Sequence, residues 1–312
     1  MNLVWKFGMC LYSDGRYNEA EVSFMEVAKR REKVLGAEHP STLTGMANLA
    51  STYRNQGRWK EAEELEVQVM ETFKRVLGEE HPETLTSTAN LASTYRNQGR
   101  WKEAEELEVQ VMETFKRVLG EEHPDTLTST ANLASTYRNQ GRWKEAEELD
   151  VQVMEARKRV LVEEHPETLT STANLALTYR NQGRLKEAEE LHVQVMETRK
   201  RVLGEEHPST LSSTANLAST YRNQERWKEA EELDVQVMET FKRVLGEEHP
   251  STLTSMANLA FTFQFQGRNG EAISLMEKCF QLRKRVLGRQ HPYTEKSLEA
   301  LNEWQIENVE TL

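Results

Sequence analysis

The sequence predicts an all-α chain, a solenoid of antiparallel helix pairs, and three observations predict it. A unit repeats at a fixed period: the histidine of a His-Pro pair stands at positions 39, 81, 123, 165, 207, 249 and 291, each step being 42 residues (123 − 81). The copies are nearly the same text, since residues 43–84 differ from residues 85–126 only at Gly45/Ser87, Met46/Thr88 and Glu83/Asp125. All seven prolines lie in the His-Pro pairs, so no helix breaker falls between them. Self-similarity at such a period is the mark of stacked repeats. Stacking also lets a chain of 312 residues avoid the limit of about 250–300 residues on a single core.

Each unit reads as two helices. The first runs over Pro82–Asn97: proline suits the first helical position, where its missing N–H has no intrahelical partner. Leu85, Thr88, Leu91, Ala92 and Tyr95 follow helical spacing and form a stripe for burial. Gly99, free to take a positive φ, ends the helix. The second helix runs over Trp101–Leu119, with Trp101, Ala104, Leu107, Val111, Phe115, Val118 and Leu119 as its stripe. Glu103, Glu105 and Glu106 open it and Lys116 and Arg117 close it, which complements the helix dipole. Lys102–Glu106 and Glu113–Arg117 are expected as i, i+4 pairs of about 0.2–0.5 kcal/mol each. Gly120 is the stop, and Ala92 and Ala104 are small where the two helices cross. The Trp59, Trp101, Trp143 and Trp227 positions and Met70, Met112 and Met154 are expected in the core.

Residues 1–39 form an N-terminal repeat: Gly15, Tyr17, Ala20 and Gly36 align with Gly99, Trp101, Ala104 and Gly120, so its first helix begins at about Met1 and the chain reads as a piece of a longer protein. Residues 40–291 are six repeats. The unit from Leu253 drifts, with Phe261, Phe263, Phe265 and Asn269 in place of Ser, Tyr, Asn and Trp. Residues 292–312 read as a charged capping helix carrying Leu298, Leu301 and Trp304. The count is fifteen helices in one solenoid.

Composition narrows the function. With 51 acidic and 40 basic residues, the net charge of −11 argues against a nucleic-acid binder, whose footprint is a basic face. No stretch approaches the roughly 18 apolar residues of a membrane span. The opening MNLVWKFGMCLY lacks a basic n-region and a small-residue cleavage site and does not read as a signal peptide, and Cys10 and Cys279 are too far apart in sequence to suggest a disulfide framework, so the expected compartment is the cytoplasm. No nucleophile–base set and no phosphate-binding glycine loop stands outside the repeat pattern, so no enzyme and no cofactor is expected.

The string NLAxxYRNQGRWKEAEEL…KRVLGEEHPxT resembles the 42-residue tetratricopeptide repeats of kinesin light chains, and most nearly the C-terminal repeat arrays of fungal NOD-like-receptor-type proteins. The resemblance spans nearly the whole chain, through Asn90-Leu91-Ala92, Tyr95, Gly99, Trp101, Glu103-Ala104-Glu105 and the Leu119-Gly120…His123-Pro124 ending. It implies an open right-handed superhelix whose first helices line a concave face. One departure stands out. The large apolar residue usual four places after the second-helix alanine is present as Phe24 and Met276, but Glu66, Glu108, Asp150, His192 and Asp234 hold that place between them, so looser packing is expected there.

At 100° per residue, Thr86, Ala89, Asn90, Ser93, Arg96 and Asn97 lie opposite the buried stripe. Repetition makes ladders: Asn48, Asn90, Asn132, Asn174, Asn216 and Asn258; Arg54, Arg96, Arg138, Arg180 and Arg222; with Ser93, Ser135, Asn97 and Asn139 alongside. The resemblance implies that the asparagines hold a ligand's backbone, to which an amide offers both a donor and an acceptor. The arginines would grip carboxylates, or else pair with acids of the second helix. As no acid falls between Thr86 and Asn97, the face is expected to be locally basic, its partner an acidic, extended protein or peptide segment. The His-Pro histidines read as loop residues: neighbouring repeats lie on the order of 10 Å apart, too far to share an ion at about 2.0–2.1 Å. No metal is expected, and His192 reads as structural. The function expected is a non-catalytic binding scaffold, the ligand-sensing or interaction module of a larger signalling protein. The alternatives are a cargo adaptor and a self-assembling structural solenoid. The chain is expected as a monomer or in weak end-to-end association.

Overall fold

Each first helix is opened by its own histidine. His81 Nδ1 accepts the backbone N–H of Glu83 at 3.2 Å, satisfying one of the orphan donors of the helix start, and Pro82 needs no partner for the N–H it lacks. The same cap recurs at His39, His123, His165, His207, His249 and His291, so these residues are N-caps, not loop bystanders. The Thr84 hydroxyl donates to the Gly78 carbonyl at 2.8 Å and ties its first helix to the end of the preceding second helix, as Thr42, Thr126, Thr168 and Thr252 do in their repeats.

The computed structural model describes residues 2–310, with side chains for residues 3–307. The expected start at Met1 and the last two residues of the capping helix, 311 and 312, lie outside the described residues. The chain divides into two compact units. The first, Met1–Ala156, holds α1 (Asn2–Ser13), α2 (Tyr17–Leu35), α3 (Pro40–Asn55), α4 (Trp59–Leu77), α5 (Pro82–Asn97), α6 (Trp101–Leu119) and α7 (Pro124–Asn139). The boundary falls within α8 (Trp143–Leu161). The second, Arg157–Leu312, holds α9 (Pro166–Asn181), α10 (Leu185–Leu203), α11 (Pro208–Asn223), α12 (Trp227–Leu245), α13 (Pro250–Phe265), α14 (Asn269–Val286) and α15 (Pro292–Glu310). All fifteen helices fall where the repeat places them, and no strand occurs among the described residues.

Within each unit a helix packs on its sequence neighbours, and first helices also meet first helices: α3 with α5, α9 with α11, and α11 with α13. The core is a series of small clusters, such as Leu85, Val111 and Phe115, repeated as Leu43, Val69 and Phe73 and as Leu211, Val237 and Phe241. Ala92 and Ala104 are fully buried at the helix crossing.

The expected second-helix stripe needs correction. Trp101 and Trp143 are each 41% exposed, and Trp59, Trp227, Met70, Met112 and Met154 are half-buried. Side chains on a helix lean toward its N-terminus, so a tryptophan at the first position overhangs the turn and misses the core. Val118 is also exposed, while Glu108, read as a loosely packed exception, is buried at 2%. Neither expected i, i+4 pair forms: Arg117 reaches Glu80 of the preceding repeat at 2.8 Å, and Lys102 and Glu106 make no ion pair among the described residues.

Candidate functional site

The face opposite the buried stripe is the first-helix face. Asn48, Asn90 and Asn132 in the first unit, and Asn174, Asn216 and Asn258 in the second, are all half-buried. Their backbone carbonyls are used, as when the Asn90 carbonyl accepts from Arg54 Nη1 at 3.1 Å. Their side-chain amides make no hydrogen bond among the described residues. Ser93 and Ser135 are half-buried beside them, and Asn97 and Asn139 are exposed. An amide held at the surface with its donor and acceptor both open matches the needs of a peptide group.

The arginine ladder lies deeper and is largely occupied. Arg96 Nη1 donates to Glu108 Oε1 at 3.0 Å and to the Asn132 carbonyl of the next repeat at 3.2 Å. Arg54 treats Glu66 and Asn90 the same way. Arg138 pairs with Asp150 at 2.6 Å, and Arg222 with Asp234 at 2.6 Å. Each arginine thus joins the two helices of its own repeat, and Arg54, Arg96 and Arg222 also reach the first helix of the next, Arg222 through the Thr262 hydroxyl at 3.1 Å. The expected basic lining is corrected accordingly: the acid missing from the first helix is supplied by the second.

Burial sets the protonation of these pairs. It pushes Glu66 up to about 7, with Arg54 pulling the other way, and it raises Glu108 and Asp234 against Arg96 and Arg222. Burial likewise lowers Arg96. The outer units follow a compensating rule: where Phe24 and Met276 replace the acid, Tyr12 and Gln264 replace the arginine. Only the α9–α10 repeat departs from it. There His192 is fully buried, neither ring nitrogen has a hydrogen-bond partner, and burial together with Arg180 lowers its pKa to about 4.

A second connection went unread in the sequence. At the turn between helices, Gln98 Nε2 and Arg100 Nη1 grip Glu63 of the preceding repeat at 2.8 and 2.7 Å, while the guanidinium lies 4.0 Å from the Tyr95 ring centroid. Gln140 and Arg142 hold Glu105 in the same way, as Gln224 and Arg226 hold Glu189. Only the repetition of the NQGR string hinted at it. Among the described residues no cluster of His, Cys, Asp or Glu could hold a metal ion, and no helix is long and apolar enough to cross a membrane.

Helix pairs stacked at a 42-residue period, stapled repeat to repeat and bearing an open amide ladder, define a helical-repeat scaffold. The chain matches the tetratricopeptide repeat family over residues 1–74, 45–117, 90–159, 125–201, 167–233 and 210–285. It belongs to that family, and its fold is the tetratricopeptide helical solenoid. It is similar to a Podosopora anserina protein described as a kinesin light chain with nearly identical TPR-like repeats, at 38% identity and a TM-score of 0.55 over 66% of this chain and 97% of that one. BtubC from P. vanneervenii shares the fold at 19% identity and a TM-score of 0.57, covering 74% of this chain and 92% of its own. So does a Rap protein complexed with Competence and Sporulation Factor, at 10% identity and a TM-score of 0.64, covering 97% and 87%. No curated protein matches the chain.

Proposed function

We propose that residues 1–312 act as one non-catalytic array that binds an extended protein or peptide segment along the first-helix face. The array would be the ligand-sensing or interaction module of a larger cytoplasmic signalling protein of the NOD-like-receptor type. One observation carries the binding reading: asparagine amides recur in register on the first helices, three in each unit, each half-buried and none engaged within the protein. An amide whose donor and acceptor both face solvent can exchange its water for the N–H and C=O of a ligand backbone. The Rap protein was crystallised with Competence and Sporulation Factor, and NprR, which shares the fold at 14% identity and a TM-score of 0.62, with its cognate peptide NprX, which supports a peptide as the ligand class.

The test is selection of peptides from a random library on the full chain, followed by calorimetry with Asn90→Ala and Asn132→Ala. Each substitution should weaken binding by about 1 kcal/mol, the net worth of a hydrogen bond, with unchanged thermal unfolding. Peptides that bind the double variant as tightly as the wild type would place the ligand elsewhere. The similarity to a kinesin light chain protein favours a cargo adaptor as the second reading. That reading requires the selected segment to occur in a transported protein rather than in a signalling ligand. Light scattering over a concentration series distinguishes both from a self-assembling solenoid.

A further inference from the structure

The arginine ladder carries a rule and one exception. Arg54, Arg96, Arg138 and Arg222 each stand over an acid of their own second helix. In the outer units the acid and the arginine are absent together. In the α9–α10 repeat the arginine is kept as Arg180, while His192 takes the place of the acid. A second change in the same repeat points the same way. Arg54 and Arg96 also donate to Ser51 and Ser93, three residues back, but Leu177 stands at that place before Arg180. Two separate substitutions therefore strip the same guanidinium. Arg180 is half-buried, and its side chain makes no hydrogen bond or ion pair among the described residues. The charged neighbour that acts on it is Arg222, of the same sign and already paired with Asp234.

We infer that Arg180, set over His192 on the first-helix face of the second unit, is a subsite for one carboxylate of the bound segment. This rests on the binding reading above and adds its chemistry. A partly desolvated guanidinium without a counter-charge is unfavourable in the free protein, and a ligand carboxylate supplies that charge in bidentate geometry. His192 is a positioning residue. It fills the acid's place with a neutral ring, whose low pKa keeps it from adding a second positive charge near neutral pH. The four arginines paired with acids cannot serve equally, since a ligand carboxylate would have to displace a buried one. Acid preference thus resides at one repeat of the ladder.

The direct probe is acetate, followed at the guanidinium Nε–H resonances of the full chain carrying isotope-labelled arginine. The Arg180 resonance should shift saturably, and those of Arg54, Arg96 and Arg222 should not. His192→Asp restores the pairing seen between Arg222 and Asp234, should fold as that repeat does, and should abolish the response. An Arg180 that ignores acetate in the wild type, or responds equally in His192→Asp, overturns the subsite whatever the face binds.

The second arm uses peptides selected from a random library on the wild type. These are remade with Gln or Asn for each acidic residue, and separately with an amidated C-terminus. One change should weaken binding about tenfold in the wild type, as expected for a lost charged hydrogen bond, and leave His192→Asp indifferent. The change that matters identifies the source as a side chain or a chain terminus. Peptides that tolerate both changes overturn the subsite and leave the amide ladder standing. Peptides unaffected by Asn174→Ala and Asn216→Ala, with acetate still shifting Arg180, sustain the subsite and refute the ladder.

Discussion

Replacing Arg96 with methionine tests the reading of the buried pairs most sharply. The side chains of Arg96 and Glu108 are 17% and 3% exposed, with Nη1 and Oε1 at 3.0 Å. Glu108 Oε2 already lacks a hydrogen-bond partner, so losing the guanidinium leaves the whole carboxylate to the interior. Breaking a buried pair costs about 3–5 kcal/mol, and Arg96→Met should fall near about 3 kcal/mol because Glu108 can take up a proton. Its folded pKa is already raised above the ordinary 4.5 by burial, and loss of Arg96 raises it further. A raised carboxylate binds its proton in the folded state first, so stability is present below the unfolded pKa and is lost as pH rises through the folded one. The penalty should therefore be smaller near about pH 5 than near about pH 8. Arg96→Met with Glu108→Leu should return to within about 1 kcal/mol of the wild type, since apolar residues replace a buried pair at little net cost. Urea unfolding followed by circular dichroism at the two pH values measures this, and hydrogen exchange should localise the loss to α5 and α6. A single variant within about 0.5 kcal/mol of the wild type and flat with pH, as a surface change would be, refutes the buried-pair reading and returns Arg96 to the ligand.

Three further outcomes are expected. Val162 takes φ +77 where Gly78 and Gly120 take +93 and +94, and a β-branched residue there is strained by about 1–3 kcal/mol, so Val162→Gly should raise the melting temperature. Glu225 at φ +61 occupies the turn position of Gly99 and Gly141, so Glu225→Gly should stabilise by about 1 kcal/mol; a loss in calorimetry would mean that the carboxylate makes a contact worth more than the strain. Glu66, pushed up to about 7 from an ordinary 4.5, should make the first unit less stable as pH rises from 4.5 to 7. At 1.36 kcal/mol per unit the effect is about 3 kcal/mol, and it should vanish from a pH series of melts in Glu66→Gln.

Much of this protein was legible because it is local. The bounds of α5 and α6 follow from proline at the first position, glycine in the turn and a 3.6-residue stripe, all encoded within a few residues, and they recur because the text recurs. The face that carries Asn90, Ser93 and Arg96 follows from helical angle alone. The exposure of Trp101 was not legible, because a stripe on a helical wheel omits how far along the axis the partner helix extends. Nor was the strain at Val162, although comparison with Gly120 one period earlier held the signal.

The charge of the first-helix face was decided only in three dimensions. Glu108 reads as a surface acid in a Glu-rich helix, yet Ala104 and Val111 carry its side of the helix into the interior and bring it under Arg96, twelve residues away in sequence. Glu63 meets Gln98 and Arg100 across 35 and 37 residues, a separation that has no meaning until repeats stack. The same stacking separates Arg180 from its sequence-identical counterparts. One histidine and one leucine in its surroundings leave its charge unmatched, because in a low-dielectric site a guanidinium's state is set by what lies beneath it and not by the motif that contains it.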